Sequence, residues 1–298
     1  MRLVAIALGV LVLAGEPCAQ VFKGHVDLTS FGVTVLDKKG ALAADLTAED
    51  FEVYEDGQRQ QLTLFARGDQ PESTPDLHLG LLFDTSGSME QDIAFSRSAA
   101  IKFLNALPQA VDVTLVDFDT EVRVTRYGQH DFAHLIERIR RRKPDGMTAL
   151  YDAVGVYLDG SSSQDGRKIL VLYTDGGDTN SSMTFSDVQT LIKASDITLY
   201  AVGFLAHQSQ SMQMDQRMKI QHMVDLTGGQ AFFPQVIKDL DSNYDKVLAE
   251  IRAQYTLGYL STNAKTDGTW RKVEVKVKRA GLKARTRQGY FAPFRKQP

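Results

Sequence analysis

Asp84, Ser86 and Ser88 stand at alternate positions in LLFDTSGSM, residues 81–89, where an apolar run ends in a carboxylate and two hydroxyls. Alternation along an extended strand tip can aim all three side chains at one point, and Gly87 lets the chain turn between them. One carboxylate and two hydroxyl oxygens make a donor set for a small, hard cation, because magnesium takes six oxygens and readily keeps waters among them. Asp and Ser also dominate turns and helix N-caps. Alone, the stretch equally describes a loop capping a helix over 91–107.

Two further stretches bear on that choice. GMTALYDA, residues 146–153, sets Thr148 in a loop just before a helical pattern, and KILVLYTDGGD, residues 168–178, ends a second apolar run in Asp175 and two glycines. The elements around them repeat one theme. Short apolar runs (LGLLFD, VDVTLVDF, KILVLYTD, ITLYAVGF) alternate with amphipathic stretches (MEQDIAFSRSAAIKFLNAL, DFAHLIERIRRR, ALYDAVGVYLDG) from His78 to about residue 250. Such alternation predicts an α/β fold, a doubly wound, mostly parallel sheet with helices on both faces. Ligands of these sheets bind beyond the carboxyl ends of the strands, near the switch in strand order. LGLLFD and KILVLYTD both end in the acids in question.

The three stretches together resemble the metal-ion-dependent adhesion site of von Willebrand factor type A domains: DTSGSM, the threonine of MTALYDA and the aspartate of YTDGGD occur in the family's order. Met147 stands where glycine is common before the threonine. The resemblance covers about residues 78–250. It implies that Ser86, Ser88 and Thr148 touch a Mg2+ or Mn2+ ion and that Asp84 and Asp175 hold it directly or through waters. It leaves one coordination position for an Asp or Glu carboxylate of a partner protein. It also implies that ligand engagement is linked to movement of the last helix of the domain, VIKDLDSNYDKVLAEIRAQY, residues 236–255. The flanks, from VTVLDKKG onward before the domain and YTLGYLS to GYFAP after it, are similar to the secreted bacterial VWFA-related family.

Each flank reads as about three strands, too few for a stable core alone. The chain therefore divides into an export signal (1–20), an N-terminal β segment (21–68), a polar proline-bearing linker (69–77), the α/β domain (78–254) and a C-terminal β segment (255–298). The two β segments are expected to pair as a smaller, all-β sandwich.

Other constellations carry less. HDFAH places His130 and His134 one helical turn apart, as on a zinc-protease helix, but Asp131 replaces the longer Glu that acts as base. DFDTEV echoes the DxD nucleophile of haloacid dehalogenase-type phosphatases, yet Glu121 stands where that motif needs Thr or Val; a hairpin turn explains Asp117 and Asp119 more simply. ERIRRRK, residues 137–143, reads as a solvated helix end whose charge suits the dipole, or as a docking patch for an acidic partner. SMQMDQRMKIQHM, residues 211–223, with His207 and His222, holds soft ligands of the kind exported copper carriers use, although methionine is also a common core filler.

MRLVAIALGVLVLAGEPCAQ has Arg2, an apolar run and then small residues, the pattern of an export signal. Its run is shorter than the ~20 apolar residues of a membrane span. Pro17 obscures the cleavage point and is the wrong neighbour for lipidation of Cys18, the single cysteine of the 298 residues. A formal charge of -3 argues against nucleic acid. The expectation is an exported, periplasmic, outer-envelope or secreted bacterial binding protein rather than an enzyme. The alternatives are a metal-assisted phosphoryl hydrolase, for which no motif supplies a base, and a purely structural envelope module.

Overall fold

The computed structural model describes residues 28–70, 74–107, 109–235 and 237–294. The signal segment with Cys18 lies outside the described residues. Strands β1 (Leu28–Asp37), β2 (Phe51–Glu55), β3 (Gln58–Gln60) and β4 (Leu62–Arg67) come first. There follow β5 (Leu77–Asp84), α1 (Ile93–Ala106), β6 (Ala110–Phe118), β7 (Val122–Gly128), α2 (Phe132–Arg141), α3 (Leu150–Ser161), β8 (Arg167–Thr174) and α4 (Phe185–Ala194). The α/β part ends with β9 (Thr198–Gly203), α5 (Gln210–Thr227), β10 (Gln230–Phe232) and α6 (Ile237–Ala253). The chain then returns to strands: β11 (Tyr255–Leu260), β12 (Trp270–Val277), β13 (Leu282–Arg285) and β14 (Gly289–Phe291).

The central sheet has the order β10-β9-β8-β5-β6-β7, parallel except for β7, which forms a hairpin with β6. The expected fold class is found. β8 and β9 are buried along their whole length, which is why they read as unbroken apolar runs. Alternate residues of β5 serve opposite layers. Leu79, Leu81 and Phe83 pack with α1, α2 and α6, whereas Leu82 packs with α3, α4 and α5. Gly80 shares the Leu82 face, and a Cβ there would collide with the Tyr157 ring of α3. The chain leaves β5 for β6 on one side and later fills β8 on the other, so the switch in strand order falls between β5 and β8.

The flanks build two four-stranded antiparallel sheets, β13-β1-β11-β4 and β14-β12-β2-β3. Each sheet takes two strands from before the α/β part and two from after it. Phe31, Val33, Val35, Phe51 and Val53 meet Tyr255, Leu257, Tyr259 and Val273 in one core. The Tyr255 hydroxyl accepts from Leu46 N–H at 2.9 Å and donates to Ala43 O at 2.9 Å, tying the two ends of the chain together. Each flank thus supplies four strands rather than three. LKARTRQGY is not one strand, because the chain crosses from one sheet to the other between β13 and β14.

Arginines join these sheets to the helix C-termini, the end of the α/β part opposite Asp84. Arg285 Nε donates to Gly228 O beyond α5 at 3.0 Å and Arg287 Nη1 to Ser195 O beyond α4 at 3.1 Å, while within the α/β part itself Arg167 Nη2 of β8 donates to Ile251 O of α6 at 2.9 Å. Cations are favoured at those ends, where carbonyls lack intrahelical donors.

ERIRRRK is not merely a solvated helix end. Asp117, fully buried at the end of β6, is gripped by Arg138 Nε at 2.8 Å, by Arg142 Nη2 at 2.5 Å and by Arg123 Nε of the hairpin at 3.0 Å. Two arginines of the run therefore neutralise a buried acid.

Candidate metal-binding site

The site begins at the end of β5. Asp84 Oδ1 accepts from Ser86 N–H at 2.9 Å and from Ser86 Oγ–H at 2.6 Å, and the hydroxyls of Ser86 and Ser88 lie 3.0 Å apart. These bonds curl the loop so that the alternate side chains converge, as their spacing predicts. Thr85, the intervening residue, points away and anchors to Phe118 O through both N–H (2.8 Å) and hydroxyl (3.0 Å).

The second loop is fastened to the first. Gly87 N–H donates to Gly146 O at 3.1 Å, and Asp145 N–H donates to Thr85 O at 2.9 Å. Gly146 has φ +72°, and a Cβ there would strike the Thr120 side chain. Thr148 follows two residues later, buried, at the start of α3, with its carbonyl accepting from Thr179 N–H (2.9 Å) and Asn180 N–H (3.0 Å). Asp175 sits one residue past β8. Its backbone carbonyl accepts from Gln208 Nε2 at 2.7 Å, and Gly176, φ +85°, turns the chain away beside Gln216 and Ile220.

The electrostatics are unbalanced. Asp84 is wholly buried; burial, and then the charge of Asp175, push its carboxyl up to about 7, against hydrogen bonds from Ser86 and Thr174 that pull it down. Among the described residues no Lys, Arg or His forms an ion pair with Asp84 or Asp175. A buried carboxylate without countercharge is costly. The side-chain atoms of Asp84, Ser86 and Ser88 brought together here are all oxygens, and a hard divalent cation fits that donor set.

The sequence reading missed Thr174. Phe83 is level with Tyr173, so Asp84 and Thr174 are neighbours across β5 and β8, and Thr174 Oγ1 donates to Asp84 Oδ2 at 2.6 Å while accepting from Gly176 N–H at 2.9 Å. Only strand pairing reveals this; nothing in YTDGG marks the threonine. Asp92 was also missed. It stands at the start of α1, where its backbone carbonyl accepts from Phe95 and Ser96 N–H; its carboxyl is raised by burial and lies within reach of the Asp175 charge, and His207 Nε2 stands 3.5 Å away. The methionine-rich stretch does not converge on a metal. Met212, Met214 and Met218 are exposed on α5, Met223 is buried in the core, and the His222 ring packs near Phe185. His134 faces Asp131 at 3.7 Å on the surface of α2.

Residues 78–252 match the family model of the von Willebrand factor type A domain. The chain belongs to that family. Several solved structures resemble the chain, and the first of these agrees with it in fold. The SpaC pilus adhesin of Lactobacillus rhamnosus GG in its open conformation is 12% identical, with 82% of this chain and 48% of that one covered and a TM-score of 0.52. The PilB minor pilin of Streptococcus sanguinis is 15% identical over 60% of this chain and 62% of that one, with a TM-score of 0.49. A von Willebrand factor type A protein from Catenulispora acidiphila, 12% identical, spans 90% of this chain and 74% of its own, at a TM-score of 0.46. This von Willebrand factor type A chain thus spans about 62% of the pilin's length. No curated protein sequence matches it. Among the described residues of the domain and its flanks, no helix is long and apolar enough to cross a membrane.

Proposed function

We propose that the protein is an exported, non-enzymatic binding module that recognises a partner protein through a divalent cation of the magnesium type. Asp84, Ser86, Ser88, Thr148 and Asp175 would hold the ion. The observation that carries this reading is Asp84: a wholly buried carboxyl facing a second acid and two hydroxyls, with no basic side chain paired to it among the described residues. The family membership and the leader-like first twenty residues support the adhesion-type, exported setting.

The chain's own contribution is to preorganise. Thr174 and Ser86 fix the Asp84 carboxylate, the Gly87–Gly146 bond holds the Thr148 loop against the Ser86–Ser88 loop, and Gln208 anchors the Asp175 backbone. A divalent cation held by the Ser86, Ser88 and Thr148 hydroxyls with Asp84 and Asp175 would supply Lewis acidity toward an Asp or Glu side chain of the partner.

The test is capture from the native bacterial envelope by immobilised protein, with magnesium or with EDTA, alongside the Thr148→Ala variant. Proteins retained only with magnesium, lost with the variant and released by free acetate support the reading. The same set retained in EDTA would refute it.

A further inference from the structure

A second polar centre lies where the flanking sheets meet the C-terminal end of α4. A cavity of about 430 Å³ opens there, between the start of β1, the segment after β11, and β14. Its apolar wall includes Leu28, Leu260 and Phe291, which are 46%, 41% and 40% exposed. Its polar wall carries three cations, Lys265, Arg271 and Arg287.

The charges do not balance. Arg271 is paired with Glu55 at 3.3 Å, and Asp196, the acid of the lining, is taken by Lys168 Nζ at 2.9 and 2.7 Å. Arg287 is 8% exposed, and no carboxylate forms an ion pair with it among the described residues. Its Nη1 and Nη2 donate to the backbone carbonyls of Ser195 and Ser30, at 3.1 and 3.0 Å. Its Nε is buried and has no hydrogen-bond partner among the described residues. The rings of Phe31 and Tyr290 lie 5.8 Å from the guanidinium, so aromatic faces supply part of what a counter-ion would. Capping α4 explains one of these bonds. It does not explain a buried arginine that forms no ion pair among the described residues, with the Asp196 carboxylate acting on it only through space, beside a cavity that also presents Lys265. Burial also pulls the guanidinium below its ordinary pKa, with the charge of Asp196 acting in the opposite direction.

We infer that this cavity is a binding site for a carboxylate carried on an apolar chain, with Arg287 and Lys265 receiving the carboxylate and Leu28, Leu260 and Phe291 the apolar part. Guanidinium suits carboxylate geometry, and the volume lies within the range of small-ligand sites. The ligand chemistry is shared by the free C-terminus of an apolar peptide and by a free alkyl carboxylic acid.

A reporter is built in. Trp270, the single tryptophan of the chain, stacks edge-on against Phe291 with ring centroids 5.0 Å apart. Its emission is read on the full chain titrated with octanoate, 1-octanol, a tetrapeptide ending in a free leucine carboxylate, and the same peptide amidated. At least one acid is expected to shift the emission saturably and to bind about tenfold or more tighter than its neutral counterpart, as a charge-assisted contact to a buried arginine requires. Response to octanoate alone assigns the alkyl acid; response to the peptide acid alone assigns the peptide terminus. Arg287→Gln should erase the preference for acid over neutral ligand. If that variant fails to fold, Lys265→Ala, on an exposed loop, should weaken the acid several-fold and leave the neutral ligand unchanged. Equal binding of acid and neutral ligands, or no response to either acid, overturns the proposal.

Discussion

Thr174 Oγ1 donates to Asp84 Oδ2 at 2.6 Å, one strand tip fixing the carboxylate of its neighbour across the switch point of the sheet. Thr174→Val keeps the shape and removes this donor. Magnesium affinity should fall by roughly five- to tenfold, because one hydrogen bond to a charged group contributes about 1.5–3 kcal/mol and part of it returns on relaxation. Titration calorimetry of the two proteins checks this, and circular dichroism should show the same fold.

The raised carboxyl of Asp84 sets a pH dependence. Its ordinary value is 3.8, and in the folded protein it is about 7, so between those values the folded state holds a proton that the unfolded state has released. This group therefore stabilises the metal-free protein fully below about pH 4, and the contribution is lost as pH rises to 7. Asp84→Asn should remove that slope from the melting temperature. Magnesium binding, which displaces the proton, should strengthen with rising pH by up to about tenfold per unit below pH 7 and level off above it.

Much of this was legible in the chain. Asp84, Ser86 and Ser88 sit at alternate positions that the turn beyond β5, closed by the Ser86 hydrogen bonds to Asp84, brings together, and unbroken apolar runs such as KILVLYT announce a strand covered on both faces. What could not be read depends on which strands become neighbours. Thr174 matters only because β8 lies beside β5, and Asp117 is a buried anion only because α2 brings Arg138 and Arg142 back over the β6–β7 hairpin. The break in LKARTRQGY was hidden because a strand that changes sheets keeps a strand-like composition.

Asp117 tests the corrected reading of the basic run. Asp117→Ala would leave three guanidinium groups crowded without their shared acid, and unfolding should be easier by about 2–4 kcal/mol. Arg138→Ala, which leaves two partners, should cost about 1 kcal/mol. Denaturant midpoints at low and high salt measure both. Equal, negligible effects would return the run to a solvated helix end.

The flanks should be interdependent. Tyr255, at the head of β11, bonds to Ala43 and Leu46 and packs against Phe51 at 5.1 Å, so the N-terminal strands lack half their core when alone. A fragment of residues 28–68 should show no cooperative melting, and Tyr255→Phe in the whole protein should cost about 1–3 kcal/mol by leaving a buried donor and acceptor unpaired. Cooperative melting of the fragment would show that the N-terminal strands fold by themselves.

The central claim is that the five oxygen-bearing residues bind one hard cation. Calorimetric titration of the EDTA-stripped protein with magnesium, manganese, calcium and zinc addresses it most directly, with Thr148→Ala and Asp175→Ala titrated in parallel. The expected result is one site per chain for magnesium or manganese, weaker calcium, and loss of binding in both folded variants. At a hundredfold excess over Kd the metal should stabilise the protein by about 2.7 kcal/mol. No binding of any hard cation, or magnesium binding that survives both substitutions, would contradict the account.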